Sequence, residues 1–247
     1  MNAFFLAVSF FTRIPVPPVR SSEEDWQKSV AFYPLVGLII GGLLWTVYQL
    51  GAQWFSPLLA AVLALVFWVY ITGGLHLDGW MDLADGLGSS RPRDQALVIM
   101  KDSRVGAMGV LAAMMLLAVK GAALHELGQA RPPLWLILAP VAARVYLLIA
   151  IRYWPYVQDN GIGSGLGKRL RTWHLLAAGA GLAALGWFVG REAVLLALAL
   201  TLLGSLWFCR MIKRKLGGFT GDCYGALIEW SEAVCMLALL LAGRWPG

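Results

Sequence analysis

Charge is what this sequence has least of. Only 14% of its 247 residues are Asp, Glu, Lys or Arg, against about a quarter in an ordinary soluble domain. So few charges do not cover the surface of a soluble protein of this size. Cysteine is scarce as well: Cys209, Cys223 and Cys235 form no CxxC pair. That excludes a disulfide scaffold, and no Cys/His set of zinc type is present. The low hydrophobicity that disorder requires is also missing, since 59% of the residues are hydrophobic and mean hydropathy is +0.69. A polytopic membrane protein remains, all-α, with the lipid bilayer as its partner.

The longest absence locates the first helices. Residues 29–77 contain no Asp, Glu, Lys or Arg, a run long enough for two spans of about 20 residues and a turn. The turn falls at Gly51-Ala52-Gln53 and Ser56-Pro57. The predicted spans are 30–50, 57–76, 105–125, 133–152, 173–190, 193–209 and 223–243, about seven in all, in one membrane domain covering residues 1–247. The fifth and sixth join through Gly190-Arg191-Glu192 as a tight hairpin. The apolar stretch Ala3 to Phe11 is too short to span and lacks the basic start and cleavage site of a signal peptide. Arg13-Ile14-Pro15-Val16-Pro17-Pro18 then breaks any helix. A short interfacial segment is expected there.

The few charges that exist are unevenly placed. With the N-terminus inside, 15 Lys and Arg residues fall in inner loops and 3, Arg131, Arg191 and Arg244, in outer ones. That is the positive-inside pattern. It explains the net charge of +6 without a nucleic-acid partner. Lys120 and Arg144 lie within spans. All eight aspartates fall on the inner side: Asp25, Asp78, Asp82, Asp85, Asp94, Asp102, Asp159 and Asp222. Carboxylates gathered at one face point to chemistry there.

Three of them stand in Thr72-Gly73-Gly74-Leu75-His76-Leu77-Asp78-Gly79-Trp80-Met81-Asp82-Leu83-Ala84-Asp85-Gly86. In a helix, Asp78, Asp82 and Asp85 share one stripe, within about 60° of arc. Like charges so placed repel, and a divalent cation removes the cost. Oxygen-only ligands suit Mg²⁺ or Mn²⁺. The competing reading is a solvated acidic helix face. Downstream, Lys101-Asp102-Ser103-Arg104 precedes the third span. Either Ser103 caps that helix with Asp102 at its positive end, or Arg104 contacts phosphate. Asp222 begins the last span, where it or Thr220 is a cap. Glu229 and Glu232 follow at membrane depth, as Lys120 and Arg144 do. Intramembrane charges are functional candidates by default, and mutual ion pairing is the alternative. His76 is either a base or ligand or a hydrogen-bonded helix-end residue. The Gly-rich stretch 160–167 lacks Walker spacing and reads as a loop over the site.

Taken in order, Phe10-Phe11-Thr12-Arg13-Ile14-Pro15-Val16-Pro17, Phe32-Tyr33-Pro34-Leu35-Val36-Gly37, Thr72–Gly86, Met100–Gly109 and Gly217–Glu229 resemble the cobalamin synthase family, the adenosylcobinamide-GDP ribazoletransferases of bacteria and archaea. The resemblance runs nearly the full chain. It implies a transferase joining adenosylcobinamide-GDP to α-ribazole, or its 5′-phosphate, with GMP released and Mg²⁺ required. It implies a cytoplasmic-membrane enzyme with its site facing the cytoplasm, and permits a homo-oligomer. On that reading Asp78, Asp82 and Asp85 hold metal, and Asp82 or Asp85 accepts the hydroxyl proton. Lys101, Arg104, Lys120, Arg144 and Asp222 contact substrate. A CDP-alcohol phosphotransferase needs an Ala-Arg after its Asp-Gly, absent here, and a prenyltransferase needs a second Asp-rich motif. A transporter would show an internal repeat, and none is found.

Overall fold

A computed structural model describes residues 1–19, 22–129, 134–158 and 161–243. Arg20, Arg131, Asp159 and Arg244, which enter the charge distribution above, lie outside the described residues. Among the described residues there are ten α-helices and no strand: α1 (Asn2–Phe11), α2 (Glu23–Ser29), α3 (Tyr33–Trp54), α4 (Pro57–Ile71), α5 (Leu75–Gly88), α6 (Arg93–Ile99), α7 (Ala107–Gln129), α8 (Trp135–Tyr153), α9 (Thr172–Leu216) and α10 (Gly221–Ala242).

The apolar helices sort into inner and outer ones. The most hydrophobic windows of α8 and α10 are 83% and 72% buried, against 33% and 39% for α7 and α9. The outer helices expose Leu58, Val66, Met114, Met115, Leu176, Phe188 and Leu203. In water such a surface is a liability; in hydrocarbon it is the solvated surface. Two glycines one turn apart set the inner packing. Cβ atoms at Gly37 and Gly41 would fall 2.6 Å from Pro140 O and 2.8 Å from Ile137 Cα. The small-xxx-small spacing lets α3 and α8 meet backbone to backbone.

Five helices among the described residues are long and apolar enough to cross a membrane, or six when α4 and α5 are taken as one bent span. That count takes α9 as one helix. However, Gly190 and Arg191 leave helical geometry, and a Cβ at Gly186 would lie 2.8 Å from Leu198. Residues twelve apart on a straight helix stand about 18 Å apart. The chain therefore turns back on itself there, as the Gly190-Arg191-Glu192 signal predicts.

The second span differs from its sequence reading of 57–76. Helix α4 stops at Ile71, because Gly73 and Gly74 adopt φ of +66° and +71°, a left-handed conformation that glycine takes without steric cost. Helix α5 then departs at 86°. At 15 residues, α4 is about 22 Å long. The bend carries the aspartate stripe out of the spanning direction and along one end of the bundle. The N-terminal segment is the short non-spanning helix α1, and one face of it packs into the bundle. Phe11 of α1 is fully buried, with its ring centroid 4.5 Å from that of Tyr33 and 5.3 Å from that of His76. Only its Ala3, Ala7, Val8 and Phe11 face is buried, and Arg13 N–H donates to Ile71 O at the end of α4 (2.7 Å).

Candidate active site

Helix α5 is the centre of the site, wedged between α10 and α7. Its buried stripe is His76, Gly79, Leu83 and Gly86. A Cβ at Gly79 would lie 2.6 Å from Asp222 O, so only glycine lets α5 cross the start of α10 at that depth. This crossing brings Asp222 to the α5 carboxylates. Thr220 caps α10 by accepting from Cys223 N–H (3.2 Å), which resolves the capping alternative in favour of Thr220.

Asp78, Asp82, Asp85 and Asp222 form one electronegative face. Partial burial first, then Asp78, Asp222 and Asp85, push the Asp82 carboxyl up from 3.8 to about 7. Lys101 lies within electrostatic reach of Asp222.

Asp85 has a role that spacing alone did not reveal. Its two oxygens accept Gly106 N–H (2.7 Å) and Gly109 N–H (2.8 Å). Both donors are orphans at the N-terminus of α7. The cap of α7 is thus supplied by α5, so Asp85 fills the role that one of the two readings of this segment gave to Ser103. Asp85→Ala leaves two part-buried N–H groups unsatisfied, and Asp85→Asn turns an amide NH₂ toward one of them. We expect each to cost about 1–3 kcal/mol and to lower the melting temperature of the detergent-solubilised protein by several degrees. Wild-type melting of both variants would refute the capping role.

No group of three or more His, Cys, Asp or Glu among the described residues is arranged to hold a metal ion. The three-ligand set Asp78, Asp82 and Asp85 is therefore not assembled, because Asp85 turns toward α7. The remaining donors still fit Mg²⁺. This ion is commonly bound through one or two carboxylates plus substrate phosphates, not by an all-protein cage, and Asp82 stands among three other carboxylates.

Two of the expected substrate contacts are committed elsewhere. Lys120 Nζ donates to Glu229 (2.7 Å) and Glu232 (2.8 Å), and Arg144 pairs with Glu232. Lys120 also stands 3.8 Å over the Trp68 ring. All four charged groups are buried. Ion pairing for span assembly, the alternative reading, describes these residues, and Lys120 and Arg144 leave the substrate-binding set. Arg104 remains exposed, and its guanidinium grips Asp102 (2.7 Å), holding that carboxyl down to about 2.

The Gly-rich loop does cover the site. Trp26 Nε1–H donates to Ile162 O (3.1 Å), and Gly163 N–H donates to Tyr156 Oη (3.1 Å). Ile162, Gly163 and Leu166 wall a cavity that also touches Asp78 and Asp222. The aromatic lining of that cavity, Phe10, Phe11, Tyr33 and Tyr224, was not found by sequence reasoning. The Phe10-Phe11 pair was visible as a motif, but nothing local placed it beside residue 78.

A helical bundle whose outer helices expose apolar side chains is that of a polytopic membrane protein, and its relatives make it one of an enzyme family. The sequence model of the cobalamin-5-phosphate synthase family matches residues 3–240, and the chain belongs to that family. It is 58% identical over 246 residues to an adenosylcobinamide-GDP ribazoletransferase of Brevibacillus brevis, covering 99% of both chains. It is 40% identical over 252 residues to the enzyme of that name from Desulfitobacterium hafniense, covering 100% of this chain and 97% of the relative. No solved structure matches.

Proposed function

We propose that this protein is an adenosylcobinamide-GDP ribazoletransferase of the bacterial inner membrane, with α5 on the cytoplasmic side. The observation that carries the reading is the convergence of Asp78, Asp82 and Asp222, from two helices, at the end of a bundle whose relatives bear that name. The 3′-hydroxyl oxygen of α-ribazole, or of its 5′-phosphate, attacks the phosphorus attached to cobinamide. A new P–O bond forms, the diphosphate P–O bond breaks, and GMP leaves with the electron pair. The hydroxyl proton passes to a carboxylate. Asp82 suits this best, since its burial and its neighbours raise its proton affinity toward neutral pH. Mg²⁺ held by Asp78 and Asp82 would offset the charge gathering on the diphosphate. Lys101 and Arg104, both exposed near the carboxylate face, attract the remaining phosphate charge.

The test is GMP release by detergent-purified protein given adenosylcobinamide-GDP, α-ribazole and Mg²⁺. Release no faster than in an EDTA control would sink the assignment.

A pH dependence follows from the raised Asp82. In the absence of divalent ions the folded state holds this proton up to about pH 7, while the unfolded chain loses it near 3.8. The folded state binds more protons in that window, so stability falls as pH rises from about 4 to 7. Mg²⁺ competes with the proton. We expect the melting temperature in EDTA to drop across this window and Mg²⁺ to raise it more at pH 8 than at pH 5. A Mg²⁺ effect of equal size at both values would count against Asp82 as a ligand.

A further inference from the structure

Helices α3 and α9 both pack against α8, and an open groove of about 860 Å³ runs between them. Leu35 and Leu38 line it from α3, Ala178, Gly181 and Leu185 from α9, and Val141 from α8. Along α9 the lining runs from Trp173 to Leu185, about 18 Å of helix. One leaflet is about 15 Å deep, half of a hydrocarbon core of about 30 Å. The groove therefore has the length of one acyl chain.

Its mouth is different in kind. A polar cavity of about 570 Å³ adjoins it, lined by Lys28, Lys168, Arg169, Arg171 and His174, and by no carboxylate among the described residues. Lys28, Arg169, Trp173 and His174 line both spaces, so the two are continuous. The cations are only partly neutralised. Glu24 is shared between Lys28 (2.8 Å) and Arg169 (3.2 Å), and Lys168 reaches Glu23 at 3.8 Å. Asp25 lines the groove and accepts from Ser22 Oγ–H (3.0 Å). Arg171 makes no ion pair among the described residues, so four cations meet three carboxylates. Exposed pairs of this kind hold weakly and open to a phosphate, which Arg grips better than a shared carboxylate does. His174 Nδ1 accepts Arg171 N–H (3.0 Å), which leaves the ring proton on Nε2 as a further donor. Trp173 is 59% exposed, and tryptophan is the residue type that settles at headgroup level.

A basic mouth on an apolar slot one leaflet long calls for a molecule with an anion at one end and a chain at the other. A free phosphate would leave the groove unused, and an apolar helix of a second copy would leave the cations unmatched. We propose that this is a binding site for an anionic phospholipid, with its phosphate held by Lys28, Arg169 and Arg171 and one acyl chain laid along α9 toward Leu185. The site is separate from the carboxylate face but shares a segment with it. Lys168 and Arg169 follow directly on Ile162 to Leu166, which wall the cavity at Asp78 and Asp222. A bound headgroup thus holds the loop that covers the aspartates. The inference does not depend on the reaction proposed above.

The experiment uses the full-length protein, freed of lipid in mild detergent and titrated with dioleoyl phosphatidylglycerol or dioleoyl phosphatidylcholine. Native mass spectrometry reads the affinity for the first lipid retained. We expect wild type to favour phosphatidylglycerol by about tenfold or more, since each nearby cation is worth about fivefold. Arg169→Gln and Arg171→Gln should each cut phosphatidylglycerol affinity about fivefold and leave phosphatidylcholine unchanged. A Cβ at Gly181 meets no other atom within 4 Å, so Gly181→Leu fills the groove without moving the backbone and should weaken both lipids. Melting temperatures in lipid-free detergent identify the folded variants, and Lys28→Gln supplies a third cation test. Equal wild-type affinity for the two lipids, or folded cation variants that keep the full preference, overturns the proposal. Displacement of the lipid by inorganic phosphate at equal concentration would leave an anion site without a chain and overturn it too. A disulfide between two copies of the Gly181→Cys variant, formed equally with and without phosphatidylglycerol, would give the groove to a second subunit instead.

Discussion

Asp82→Asn should lose at least about 10³-fold in turnover while folding as wild type. Two effects combine. The amide cannot accept the ribazole proton, which is worth about 10²–10⁴-fold for a general base. It also removes a negative charge from the face expected to draw Mg²⁺ and the diphosphate together. The fold should not suffer, because ionised Asp82 is repelled by Asp78, Asp222 and Asp85, and a neutral isostere relieves that repulsion. Initial rates of GMP release at saturating Mg²⁺, paired with a melting curve, check both halves. A wild-type rate would exclude Asp82 as base or ligand. A collapsed melting temperature would show that its carboxylate is structural, as that of Asp85 is.

Glu232→Ala should abolish the folded protein under ordinary detergent conditions. Glu232 is the hub of the buried network, since both Lys120 and Arg144 pair with it. Its removal leaves two cations in the interior facing only Glu229. Breaking a buried pair by deleting one partner costs about 3–5 kcal/mol, a large part of the total stability of most domains. The network ties α7, α8 and α10 together, and Lys120 extends it to Trp68 on α4. Replacing all four charged residues by apolar ones of similar volume should restore folding relative to Glu232→Ala alone, because no charge is then left unpaired. Size-exclusion profiles and melting temperatures of the two variants make the comparison. If Glu232→Ala folds and melts as wild type, the network does not hold the bundle.

These two carboxylates were unequally legible in the sequence. Asp82 announces itself through a local pattern, a stripe at helical spacing between glycines. Glu232 shows only that a charge sits where lipid would reject it. Its assignment to structure comes from partners 88 and 112 residues away. The hairpin at Gly190-Arg191 and the membrane character were legible for the same reason that Asp82 was, since turn residues and apolar runs are properties of neighbouring positions. The end of α4 was not legible. The predicted span ran through Gly73 and Gly74 to residue 76, so neither the break nor the turn of 86° was foreseen.

The sequence by itself determined that this chain is a polytopic membrane protein, that three of its carboxylates share one helix stripe, and the family its motifs resemble. The first two follow from composition, periodicity and short-range spacing, and the third from the resemblance of local motifs, all of which are fixed before the chain folds. Tertiary structure alone decided which partners each charged residue meets. Asp85 is bound to the start of α7, Asp222 is brought to Asp78 and Asp82 across Gly79, and Lys120 and Arg144 are consumed by Glu229 and Glu232. The physical reason is that a charge in a low-dielectric interior must find its partner in space, and packed helices choose that partner without regard to distance along the chain.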